Sequence, residues 1–134
     1  HKGTINTNGW GIFGESTDGD VIVDGREALI ASDVRGLFGK APNGTVTIYG
    51  GEMAVGKGTG ITAEAGGEVT IESEGPISTL GGIDAIVGSP GIHAVSTGGS
   101  VSIKTFHPIS TTTSSQASPA IMAIAESDVH IDSN

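Results

Sequence analysis

The sequence predicts an all-β chain wound as a right-handed parallel β-helix, a solenoid with three strands per coil and about five coils. Two apolar steps recur together along the chain, a third column follows them, and no stretch carries helical periodicity. A Val-x-Ile step appears as "GDVIV" at Val21, "GTVTI" at Val46, "GEVTI" at Val69, "GSVSI" at Val101 and "SDVHI" at Val129. A Gly-Ile-x-Ala-like step precedes each of them by 8 or 9 residues: "GIFG" at Ile12, "GLFG" at Leu37, "GITA" at Ile61, "GIHA" at Ile92 and "AIMA" at Ile121. Self-similarity at such a period is the mark of a repeat architecture.

The third column follows each Val by 7 or 8 residues, as Ala28-x-Ile30, Met53-x-Val55, Ile77-x-Thr79 and Ile109-x-Thr111, with "TINT" at Ile5 as its first copy. Within each step apolar and polar residues alternate, the period of a strand with one buried face. Gly, Asn, Asp and Ser separate the steps and supply the corners. A lone three-strand unit cannot bury its apolar face. Stacked copies can, each Val over the next Val and each Ile over the next Ile, about 4.8 Å apart. The rule for parallel crossovers then selects the right-handed coil.

Two places break the spacing. From Ile77 to Ile92 there are 15 residues and from Ile109 to Ile121 there are 12, so excursions fall at 80–91 and 112–120. Both leave the same corner of successive coils and are expected side by side. Loops on a rigid scaffold commonly carry binding. The first offers Ile83, Asp84, Ile86 and Val87, and the second Ser114, Ser115 and Gln116. A further candidate lies on the scaffold: with Ile12 and Leu37 inward, Phe13 and Phe38 point outward in adjacent coils and should stack.

Composition narrows the function classes. Gly makes up 23 of 134 residues, while aromatic residues are 4% and charged residues 16%, in keeping with short strands and many turns. Fifteen Asp and Glu against six Lys and Arg give a formal charge of −9, which repels phosphate backbones and anionic lipid, so no nucleic-acid partner is expected. The chain has no Cys, hence neither disulfide nor thiolate site. No apolar run reaches the roughly 20 residues of a membrane helix, so this segment is not expected to insert.

Several motifs imitate active sites. "GWGIFG" at Gly9 fits G-x-G-x-x-G, and "GEMAVGKG" at Gly51 fits a P-loop except that Gly58 replaces the final Ser or Thr. Both chemistries need a helix N-terminus behind the glycines, and turn and strand signals follow instead. Asp18, Asp20, Asp24, Glu64, Glu68, Glu72 and Glu74 could serve a polysaccharide-cleaving β-helix enzyme. Yet Asp20, Thr45, Glu68, Ser100 and Asp128 occupy one repeated position before each Val, a solvated column rather than a cluster. His1, His93, His107 and His130 fall in separate columns and do not converge for a metal. Asn43-Gly44 is a turn signal. The expectation is a non-enzymatic chain with no cofactor, no metal and no catalytic residue.

Runs such as "GSVSIKTFHPISTTTSSQASPAIMAIAESDVHI" and "GEVTIESEGPISTLGGIDAIVGSPGIHAVSTGGSVSI" resemble passenger domains of bacterial autotransporter adhesins of the pertactin and diffuse-adherence type. The loose motif Gly-x-Val-x-Ile, Ile-x-Thr, Gly-Ile-x-Ala carries the resemblance over residues 3–131. It implies a single β-helix segment, 1–134, from a longer passenger that is secreted and displayed at the bacterial surface. It also implies adhesion or virulence-related contact with a host-cell protein or glycan, or self-association between cells. A polysaccharide-acting β-helix enzyme and a spacer stalk with no site of its own are the alternatives.

Overall fold

A computed structural model of the chain describes residues 3–81, 90–113 and 120–134. Among them are fifteen strands and no helix, grouped by the order in which the chain visits three sheets. The first coil holds β1 (Gly3–Thr7), β2 (Trp10–Glu15) and β3 (Val21–Asp24); the second holds β4 (Ala28–Ser32), β5 (Arg35–Ala41) and β6 (Val46–Gly50). The third has β7 (Met53–Val55), β8 (Thr59–Ala65) and β9 (Val69–Ser73), and the fourth β10 (Ile77–Gly81), β11 (Ile92–Ser96) and β12 (Val101–Thr105). The fifth closes with β13 (Ile109–Thr113), β14 (Ile121–Ile124) and β15 (Val129–Ser133). Every third strand pairs in parallel, giving a first sheet β1-β4-β7-β10-β13, a second β2-β5-β8-β11-β14 and a third β3-β6-β9-β12-β15. The chain is a three-sided β-solenoid of five coils, as the repeat requires.

The predicted columns are the observed registers. Ile12, Leu37, Ile61, Ile92 and Ile121 stand over one another in the second sheet. Val21, Val46, Val69, Val101 and Val129 do so in the third. All of these except Val129, which is 46% exposed in the last coil, pack in or against a single core with Ile30, Ile48, Met53, Ile71, Ile77 and Ile103. A ladder of backbone bonds ties the corner before each Val: the N–H groups of Val21, Val46, Val69 and Val101 donate to the carbonyls of Thr45, Glu68, Ser100 and Asp128. The repeated pre-Val position is thus a hydrogen-bonding position, which explains its tolerance of Asp, Thr, Glu and Ser side chains.

The first sheet corrects one register. Ala28 was expected over Met53, but Ile30 occupies that place and Ala28 lies opposite Gly3. A slip of two residues keeps the same face inward, so alternation alone permits either choice. Volume decides it. Ile30 is fully buried between Ile5 and Met53, and the turn Gly25-Arg26-Glu27 absorbs the two extra residues, closed by the Ala28 N–H on the Gly25 carbonyl at 3.2 Å.

Three buried serines sit at strand ends, where a carbonyl can accept from them. Ser32 Oγ donates to the Arg35 carbonyl at 2.8 Å and Ser73 Oγ to that of Gly75 at 3.1 Å. Ser96 Oγ donates to the Gly67 carbonyl at 2.6 Å and accepts the Gly99 N–H at 2.9 Å. Each of these three hydroxyls stitches a corner and leaves the apolar stack intact.

Candidate binding surface

The outer face of the second sheet carries Phe13, Phe38, Thr62, His93 and Met122 on one row. Phe13 and Phe38 stack as expected, with ring centroids 5.1 Å apart and planes within 6°. Two further residues join them that sequence reasoning did not place at this surface. Trp10 lies 4.9 Å from Phe13 and 5.3 Å from Phe38 between centroids, and the Arg35 guanidinium lies over Trp10 at 5.3 Å and over Phe38 at 4.9 Å. Trp10 pairs with Arg35 across β2 and β5, two residues ahead of the Ile12/Leu37 column. The signal was present: "WGIFG" and "RGLFG" align position by position.

Glycine makes this arrangement possible. Gly11, Gly36, Gly60 and Gly91 form a column at the corner where the first sheet gives way to the second. A Cβ on Gly11 would stand 2.4 Å from the Gly36 carbonyl oxygen, and one on Gly36 2.5 Å from that of Gly60. Only glycine lets successive backbones approach so closely. With the corner packed tight, the preceding Trp10 and Arg35 side chains lie across the outer face beside the Phe pair.

Exposure divides the cluster. Phe38 is only 5% exposed although it points away from the core, while Trp10 is 43% and Phe13 46% exposed. Phe38 is the base and the other two rings are its open rim. Arg35 differs from the other described arginine. Arg26 is held by Asp24 through two hydrogen bonds of 3.0 and 2.6 Å, approaches Glu74 at 3.9 Å and covers the Tyr49 ring at 4.4 Å. Lys40 faces Glu64 at 4.0 Å. Arg35 has no carboxylate partner among the described residues.

The acids are individually accounted for. Asp20 accepts the Thr45 N–H at 2.8 Å, which holds its carboxyl below the ordinary value, and Asn43 Nδ2 reaches Asp18 at 3.4 Å. Hydrogen bonds from Arg26 likewise lower Asp24, and Asp24 in return raises Arg26. Glu64 lies on the second sheet and Glu72 on the third, with Glu68 at the corner between them. Among the described residues no group of three His, Asp or Glu could hold a metal. "GWGIFG" runs into strand β2 and "GEMAVGKG" contains strand β7, so neither leads into a helix.

Two shallow cavities mark the flanks. One, of about 250 Å³, lies along the first sheet between Asn6, Asn8, Asp33 and Ser78; the other, of about 310 Å³, lies between Lys40, Pro42, Glu64 and Val95. The loop candidates Ile83, Asp84, Ile86, Val87, Ser114, Ser115 and Gln116 lie outside the described residues. Comparison with protein-family models, with curated proteins and with solved structures finds no match to this chain. The surface therefore has to be understood from its own chemistry.

Proposed function

We propose that the chain is an adhesin-like segment of a secreted, surface-displayed passenger of autotransporter type: a stiff β-helical column that presents side chains to a partner on a host cell or a sister cell. The observation that carries this is the Trp10–Phe13–Phe38 cluster, a half-exposed aromatic surface at the first-coil end of the second sheet's outer face. Exposed rings side by side lose favourable burial and serve a protein best when a partner covers them. The column supplies stiffness, because each strand of the inner coils is hydrogen-bonded to the coil on either side and little order is lost on contact.

The test is display of this chain on a non-adherent bacterium, followed by attachment to cultured epithelial cells and by autoaggregation. Attachment that falls when Trp10 and Phe13 are replaced by Ala supports the proposal. Failure of the displayed chain to promote either contact refutes it. The spacer alternative draws on the outer face of the third sheet, where Ile22, Thr47, Thr70, Ser102 and His130 make a row with no clustered chemistry. A spacer predicts that attachment, if any, is indifferent to the two aromatic replacements.

A further inference from the structure

We propose that Trp10, Phe13 and Arg35 form a platform for an acidic sugar, a pyranose bearing a carboxylate or a sulfate. The proposal rests on the adhesive reading above and names its ligand class. Of the five aromatic residues in the sequence, one Trp, one Tyr and three Phe, three meet at this point. Core packing does not account for the gathering, since the core is aliphatic and two of the three rings are nearly half-exposed.

Trp10 and Phe13 stand 4.9 Å apart with their planes inclined by 50°, two apolar walls above the Phe38 base. The C–H face of a pyranose packs against such a ring while its hydroxyls remain in water. Arg35 supplies the polar half of the recognition. Its guanidinium is fixed over Trp10 and Phe38, already oriented, and has no carboxylate partner among the described residues. A planar guanidinium is suited to bidentate contact with a carboxylate or a sulfate. With a formal charge of −9 the surface as a whole repels anions, so the Arg35 guanidinium, without a carboxylate partner among the described residues, confines an acidic ligand to this spot.

The surroundings favour a sugar over a protein. A protein hot spot is ringed by contacts that exclude water, and a standard interface takes about 800 Å² from each partner. Here the cluster is bordered by Glu15, Lys40 and Thr59, with Val34 the one exposed aliphatic next to it in sequence. Three rings and one cation amid polar residues match a saccharide unit in size.

Trp10 is the sole tryptophan of the chain, so its fluorescence reports on the platform directly. The experiment titrates the chain with oligogalacturonate, sialyllactose and a sulfated chondroitin disaccharide, with lactose as the neutral control. The expected result is a saturable change with acidic sugars that weakens as salt is raised. Arg35→Gln should cut affinity at least about tenfold with the strand circular dichroism preserved, whereas Lys104→Gln, on the third sheet, should leave it unaltered. Equal response to lactose, full affinity in the Arg35→Gln chain, or no saturable response up to millimolar sugar would each overturn the proposal. Should Arg35→Gln not fold, the indole N–H resonance of the unaltered chain decides: a shift with acidic sugars but not with lactose supports it, and no shift refutes it. Cell attachment without any sugar response sinks the ligand class and leaves the adhesive function standing. A sugar response without attachment does the reverse.

Discussion

Gly36 sets the distance between the second and third coils at one corner. A Cβ there would meet the Gly60 carbonyl oxygen at 2.5 Å and Met53 Sδ at 2.9 Å, and the backbone cannot yield without parting the ladder. Gly36→Ala is expected to destabilise the chain by about 1–3 kcal/mol, the usual range for overpacking. Gly3→Ala, with nothing within 4 Å of the new Cβ, should be close to neutral. Denaturant midpoints compare the two, and equal values would remove the close-approach argument. Val69, 1% exposed in the central coil, tests the core itself. Val69→Asp places an uncompensated charge among Val46, Ile71 and Val101 neighbours and should cost roughly 3–5 kcal/mol. An unchanged melting temperature would refute the stacked core. At this scale the sequence was partly legible: Phe13 and Phe38 followed from alternation, but Trp10 and Arg35 did not. Their positions depend on how the Gly11 and Gly36 corners bend, and alternation says nothing about a corner.

The strands themselves obey alternation closely, and the turns between them decide register. The Asp24–Arg26 turn shows how. It takes up two residues, lets Ile30 rather than Ala28 enter the core over Met53, and is pinned by the bidentate contact of Arg26 with Asp24. Hydrogen bonds from Arg26 place the Asp24 carboxyl below its ordinary value of 3.8. A carboxyl lowered in the folded chain contributes stability that is present above that ordinary value and is lost as pH falls through the folded one. Asp24 and Arg26 are solvent-accessible, so the contribution is small. The melting temperatures of the unaltered chain and of Asp24→Asn should therefore differ slightly at neutral pH and converge in acid. A gap that persists below the ordinary value would show that the turn is held by something other than this ion pair. The slip was hidden in the sequence because both choices put an apolar residue inward; only the relative volume of Ile30 and Ala28 against Met53 separates them.

Over the whole molecule, stability should follow the number of neighbours each coil has. In a stack where contacts run mainly between adjacent coils, inner coils are held on two sides. Val69 and Ile71 in the third coil are fully buried, whereas their counterparts Val129 and Ile131 in the fifth are 46% and 45% exposed. Amide exchange should accordingly be slowest in β8 and β9 and fastest in β15, and uniform protection along the chain would contradict stacking as the source of stability. The period of the Val-x-Ile and Gly-Ile-x-Ala steps, read from the sequence alone, determined the strand order, the three parallel sheets and the identity of nearly every core residue. That was possible because stacking an identical unit makes local pattern and global contact the same information. The tertiary structure alone decided the first-sheet register and the assembly of Trp10, Arg35, Phe13 and Phe38 into one surface. Those depend on how much chain each corner consumes and on how closely glycine lets two backbones approach, distances that no alternation of apolar and polar residues encodes.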